Sequence, residues 1–152
     1  RKLSRCQRGS RNYEKQKKRV ALCHEKIRNQ RKDFQHKLST GLVENYDAVC
    51  VEDLDLKGMA GELHFGKGVH DNGYGLFLSM LKYKLEERGK YLIKVNRYFA
   101  SSKICSVCGK KKAELSLSER IYRCECGNRM DRDVNAAVNI MNEGKRIFAE
   151  CA

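Results

Sequence analysis

Apolar positions along this chain change their period several times. Val20, Ile27 and Phe34 fall seven apart, with Cys23, His24, Gln30 and Leu38 filling the intervening face. That spacing predicts a long helix from about Asn12 to about Thr40. Ser10 or Asn12 is its N-cap and Gly41 its stop, and the stripe packs on something. Val49, Cys50 and Val51 then form a short buried-strand run that ends in two acids. Residues 58–75 hold six of the twelve glycines and read as a mobile loop. Leu76, Phe77, Met80, Leu81 and Leu85 return to helical spacing, closed by Gly89, and Tyr91 to Val95 is a second strand. Residues 101–129 have hairpin character. Asp131 or Asp133 opens a last helix whose face is Val134, Ala137, Val138 and Met141. Helix, strand, helix, strand, insert, helix is the alternation of an α/β fold. Two strands are too few for a stable sheet. With an opening Arg1-Lys2 in place of Met, the expectation is a piece of something longer.

Charge sharpens this picture. The chain has 152 residues, 32 of them Lys or Arg against 19 Asp or Glu, a net charge of +13. Residues 1–37 hold 14 basic and 3 acidic groups, a net of +11, which leaves +2 for the rest. The first helix is therefore basic all round except for its stripe. A helix laced with salt bridges carries both signs, and this one does not. Polyanion binding is the sharper reading, with nucleic acid the usual partner, because each neutralised phosphate releases counterions. Lys17, Lys18, Arg28 and Arg31 are the candidate contacts. A membrane surface fits less well, since the stripe lacks the Trp/Phe/Leu density of interfacial helices. No run of apolar residues is long enough to span a bilayer. A merely solvated helix is the bland alternative.

Of eight cysteines, Cys23 and Cys50 sit at apolar positions and read as small hydrophobes. Cys105-Ser-Val-Cys108-Gly109 is different: two thiolates on a tight turn with glycine after the second. Cys124-Glu-Cys126-Gly127 follows fifteen residues on. Four soft thiolates on two turns suit tetrahedral Zn²⁺. The second turn is CxC and not CxxC, which strains the chelate and leaves a broken site, a redox pair or chance as alternatives. His64 and His70, in the glycine-rich stretch, are assigned nothing.

Two acids stand at places where a metal could bind. Glu52 ends a strand, and Asp133 opens a helix whose dipole stabilises a carboxylate. The ordinary readings are strand-end solvation for Asp53 and Asp55, and an N-cap for Asp131 or Asp133. Convergent in space, Glu52 and Asp133 would hold Mg²⁺ for phosphodiester hydrolysis.

These residues carry a resemblance. Val51-Glu52-Asp53-Leu54 with Lys57-Gly58-Met59 resembles the second RuvC motif of the transposon-encoded TnpB (OrfB) proteins. Asp131-Arg132-Asp133-Val134-Asn135-Ala136-Ala137 with Asn139-Ile140 resembles the third. Ser101-Ser102-Lys103 with Cys105, Cys108-Gly109 and Cys126-Gly127 is similar to the zinc ribbon inserted before it. Arg31 to Phe34 and His36 to Ser39 resemble the end of the preceding helix. The match covers nearly the whole chain, in order and spacing. The family is related to the type V CRISPR effectors, and its RuvC-like nuclease cuts DNA chosen by a guide RNA.

The resemblance implies a partial RNase H-like (RuvC) fold with a long basic helix and an inserted four-cysteine zinc ribbon. Residues 1–46 would be the helix, 47–98 and 130–148 the nuclease core, and 99–129 the ribbon. Glu52 matches the second catalytic acid and Asp133 the third, both magnesium ligands, with Asp131 as the cap. Cys105, Cys108, Cys124 and Cys126 would hold structural zinc. Nothing matches the first catalytic Asp or its strands. Ala100 stands where the family often has Pro, and the second turn is short. The implied partners are DNA and guide RNA, with no membrane and no small-molecule substrate, in the nucleoid-associated cytoplasm of a prokaryote. The rival reading is a non-catalytic nucleic-acid-binding module with ribbon and basic helix.

Overall fold

The computed structural model describes residues 1–56, 58, 73–116 and 118–151. The glycine-rich stretch with His64 and His70 lies almost wholly outside these, as do Lys57 and Met59 of the second motif. After a 3₁₀ turn at Leu3–Arg5, helix α1 runs Arg11–Asn45. Ser10 is its N-cap, its Oγ accepting from the Tyr13 N–H at 3.1 Å. Gly41 does not stop it, because Leu42 and Val43 immediately beyond belong to the core and hold one more turn in place. The end comes at Tyr46, where the Lys90 ammonium donates to Val43 O at 2.8 Å and Tyr46 O at 3.1 Å, satisfying carbonyls a helix terminus leaves orphaned.

Strand β1 (Ala48–Glu52), helix α2 (Tyr74–Glu87) and strand β2 (Tyr91–Val95) form a parallel crossover unit, with Ala48 opposite Tyr91 and Glu52 opposite Val95. Gly73 caps α2 with φ +66°, and a Cβ there would lie 2.6 Å from Gln35 Nε2, so only glycine fits. Gly89, at φ +63°, follows the helix end as expected. Strand alternation sends Val49 and Leu92 to one face, against Val43, Phe77, Leu81 and Leu85 of α1 and α2. It sends Cys50 and Ile93 to the other, against the last helix, α3 (Arg132–Cys151), where a Cβ on Gly144 would collide with Cys50 Sγ. The result is a sheet between two helical layers. Among the described residues it has two strands.

The contact between α1 and α2 is polar at its centre. Half-buried Lys84 donates to His36 O at 2.8 Å, Ser39 Oγ at 2.8 Å and Thr40 Oγ1 at 2.7 Å, and partial desolvation pulls its pKa down. Gln35 donates to Gly73 O at 3.0 Å. The buried positions of α1 are therefore Gln35, Ser39 and Val43. The expected stripe is not the packed face: Val20, Ile27, Phe34 and Leu38 are exposed, Phe34 by 64%. The α1–α2 contact begins only near Arg31, and polar groups set its register.

Between β2 and α3 lies a small module. An antiparallel bridge joins Ile104 to Lys111, and strands β3 (Ile121–Arg123) and β4 (Arg129–Asp131) pair antiparallel. Tyr122 is fully buried beneath it, its hydroxyl donating to Lys103 O at 3.1 Å. The face expected for α3 is also not the one used. Val134 and Met141 are exposed, while Asn135 and Asn139 are buried. The reason is that α3 meets backbone carbonyls of the module, which require donors rather than methyl groups.

Candidate metal centres

Each cysteine turn of the module is closed by its own backbone. In the first, Gly109 N donates to Cys105 O at 2.9 Å and Cys105 N to Lys110 O at 3.0 Å. In the second, Gly127 N donates to Cys124 O at 3.0 Å and Cys124 N to Asn128 O at 2.9 Å. The return bond spans four residues in the first and three in the second. The shorter turn thus absorbs the missing residue of the CxC, with Gly109 at φ +75° and Gly127 at φ +91°. All four thiols converge. Cys105 Sγ lies 3.7 Å from Cys126 Sγ, Cys108 Sγ lies 3.6 Å from Cys124 Sγ, and the four sulfurs all lie within 4.8 Å of one another. A tetrahedron with 2.3 Å arms has edges of about 3.8 Å, so the set fits a soft divalent metal.

The surroundings favour thiolate at Cys105 and oppose it at Cys126. Burial pushes the Cys105 thiol up, but the backbone N–H groups of Cys108 and Val107 and the Asn128 side chain outweigh it and hold it at about 6. Asn128 Nδ2 lies 3.4 Å from that sulfur. For Cys126 the Asn128 backbone N–H lowers the pKa, but Cys108, burial, Cys124 and Cys105 together push it up to about 12. Four adjacent sulfurs cannot all ionise without a cation among them, and a bound metal supplies that charge.

The acids are placed differently. Glu52 ends β1 on the face that carries Cys50, the face covered by α3. It is half-buried, and its carboxylate has no hydrogen bond or ion pair among the described residues. Helix α3 runs antiparallel to the strands: Phe148 stacks edge-on against Tyr91 at 4.8 Å at the start of β2, and Gly144 lies at Cys50 and Ile93. Its N-terminus therefore lies towards the strand ends where Glu52 sits. Asp133 is in that first turn, 77% exposed and 3.6 Å from Arg132 Nε. Asp131 is the cap, its Oδ1 accepting from the N–H groups of Asp133 at 2.8 Å and Val134 at 3.1 Å. Neighbouring Asp53 is engaged elsewhere: the Lys94 ammonium at 3.0 Å, then Arg97, holds its carboxyl below the usual range. Asp55 pairs with Arg97 at 3.3 Å.

On α1, Lys17, Lys18 and Arg28 are exposed and Arg31 is half-buried beside Gly73. Helical spacing puts Lys17, Arg28 and Arg31 on one side, in line with buried Gln35. Reading from sequence missed Asn128, Asn135 and Asn139. The available signal was two asparagines one turn apart in a helix otherwise rich in alanine and valine.

Two known families match successive stretches of the chain. A model described as "Probable transposase" (OrfB_IS605) matches residues 1–62, and one described as "Cas12f1-like, TNB domain" matches residues 74–140. A protein of Streptomyces pristinaespiralis, provisionally named an RNA-guided DNA endonuclease, is 40% identical over 95% of this chain and 36% of its own length. The Escherichia coli K12 protein InsQ, named in the same provisional way, is 31% identical over 98% of this chain and 41% of its own. A mimivirus TnpB-like protein, L79, is 33% identical over 80% of this chain and 24% of its own. The chain thus spans about two fifths or less of these relatives. Among solved structures, a cryo-EM structure of a Cas12f1–sgRNA–target DNA complex covers 83% of this chain and 37% of that one. Its TM-score is 0.64 at 23% identity, a likeness of fold.

Proposed function

Since the chain belongs to the OrfB (TnpB-like) family of transposon-encoded proteins, we propose that it forms the part of an RNA-guided DNA endonuclease that supplies two acids of a RuvC-like site. On this reading residues 47–98 and 130–148 are the incomplete RNase H-like core, 99–129 a zinc ribbon and 1–46 the basic helix. The observation that carries it is the placement of Glu52. A half-buried carboxylate with no partner among the described residues ends a parallel strand, facing the helix whose first turn holds Asp133. Both are hard oxygen donors of the kind Mg²⁺ takes, and Mg²⁺ when bound supplies water activation and leaving-oxygen stabilisation. Asp131 fixes the turn that presents Asp133, and Arg97 and Lys94 keep Asp53 and Asp55 away from Glu52. Target choice would rest on base pairing to guide RNA, with α1 holding phosphates through Lys17, Lys18, Arg28 and Arg31.

The test is a chimera joining the upstream part of the Streptomyces relative to residues 1–152, assayed for cleavage with Mg²⁺ and a matched guide RNA. Cleavage that disappears in Glu52→Gln and in Asp133→Asn is expected, and cleavage retained in either sinks the assignment. Residues 1–152 alone should bind nucleic acid without cutting it, because nothing in them matches the first acid.

A further inference from the structure

We propose that Asn135 and Asn139 couple the metal of the cysteine cluster to the helix turn that presents Asp133, making them positioning residues for that carboxylate. Asn135 is fully buried two residues beyond Asp133. Its Nδ2 donates to Ile104 O at 2.7 Å and its Oδ1 accepts from Ser106 N at 3.0 Å. These are the backbone groups on either side of Cys105, itself buried and one of the four sulfur ligands. One turn on, buried Asn139 donates to Ile104 O at 2.6 Å and Ser101 O at 2.8 Å. Asparagine is a poor choice for a helix interior and costly to bury unpaired. Here, among the described residues, both amides are satisfied by the first cysteine turn and its approach.

The other flank is held as firmly. Strand β4 runs into α3 without a linker, Asp131 pairs with Ile121 in the hairpin, and Arg132 N donates to Arg120 O at 2.8 Å. Three links therefore form a closed ring. Asparagines join the first cysteine turn to α3, β4 joins α3 to the hairpin, and metal joins the hairpin's Cys124 and Cys126 back to Cys105 and Cys108. Asp133 sits at the corner between the first two links. With the metal link open, the first cysteine turn keeps only weaker ties to the hairpin, among them Tyr122 Oη to Lys103 O at 3.1 Å and the exposed Lys110–Glu125 ion pair, and the asparagine clamp's partner is less firmly fixed.

The consequence for cleavage rests on the reading of Asp133 as a magnesium ligand; the coupling itself does not. The experiment is amide hydrogen exchange on reduced residues 1–152, stripped of metal or loaded with Zn²⁺. In the native chain, zinc should slow exchange across residues 132–140 by about tenfold or more while residues 141–150 change little. Asn135→Ala should lose most of that slowing, and Asn135→Asp, which keeps the acceptor for Ser106 N, should keep part of it. No slowing in the native chain, or undiminished slowing in Asn135→Ala, overturns the proposal. Should Asn135→Ala lose protection over 141–150 as well, Asn139→Ala decides. A reduced zinc effect there supports the coupling and a full one overturns it. Asp133→Asn should keep the whole zinc effect, so a failure of the nuclease reading and a failure of the coupling appear in different measurements.

Discussion

The cysteine module and the parallel sheet each carry residues of a proposed metal site, but they would complete it by different means. The module draws its ligands from residues 105 to 126, and each turn is closed by its own backbone bonds. On the proposed reading the sheet draws Glu52 and Asp133 from separate parts of the chain, and strand pairing, crossover and the last helix must all form before the two could meet. A ligand set written locally converges within this chain. A site written by topology holds only what its strands bring.

The largest effect should come from breaking the local site. Structural zinc in small domains binds with about 10–16 kcal/mol of apparent free energy, and that binding is folding energy. Chelation, or Cys105→Ser, is expected to abolish protected structure over 99–131 while α1, α2 and β2 stay folded, as read by amide exchange. A module equally protected without metal would place its stability in Tyr122 and the hairpin instead. Next come the acids. In the chimera, Glu52→Gln and Asp133→Asn should each lower cleavage by at least about a hundredfold, since a lost metal ligand costs alignment as well as charge. Zinc content should not change, and a parallel loss of zinc would mean the two sites are one folding unit.

The same contrast governs what the sequence made legible. Both strands and the cysteine quartet were readable because each signal is contiguous. Position alone leaves the cap open between Asp131 and Asp133; the family motif favours Asp131, and two short N–H contacts support it. The long helix was readable, its end and its face were not. Gly41 looks like a stop, but the energy that carries the helix past it comes from Val43 packing on Leu81 and Leu85, forty residues away. The stripe of Val20, Ile27 and Phe34 has helical period, yet the packed face is chosen by Lys84 reaching three oxygens of α1. The last helix misleads for a related reason: Val134 and Met141 face out while Asn135 and Asn139 turn to a row of backbone carbonyls. Hydrophobic period finds an element. It finds the buried face only when the partner is itself apolar.

A smaller effect belongs to the basic helix. Changing Lys17, Lys18, Arg28 and Arg31 together to Gln should weaken RNA or DNA binding by residues 1–152 and flatten its dependence on log salt by about 3 to 4 in slope. Arg31 packs beside Gly73, so it should contribute less than the three exposed residues. An unchanged slope would move the contact to Lys110, Lys111 and Lys112, which line one groove of the cysteine module.

The smallest effect separates two adjacent carboxylates. Asp53 follows Glu52 directly, but Lys94 and Arg97 engage it, and its pKa is depressed in the folded chain. A depressed carboxyl contributes stability above its unfolded pKa of about 3.9 and loses that contribution as pH falls through the folded value. Asp53→Asn should therefore make the acid limb of the unfolding curve shallower below about pH 4, with nothing changed at neutral pH beyond the weak effect of an exposed ion pair. Its cleavage activity in the chimera should stay within about twofold of the unsubstituted protein, since an ion-paired surface carboxylate is not available to a metal. Circular dichroism between pH 2 and 6 checks the first expectation, and the nuclease assay checks the second. Were Asp53→Asn to abolish cleavage while Glu52→Gln did not, the metal ligand at the end of β1 would be the paired acid, and the Lys94 and Arg97 contacts would have to open for it to serve.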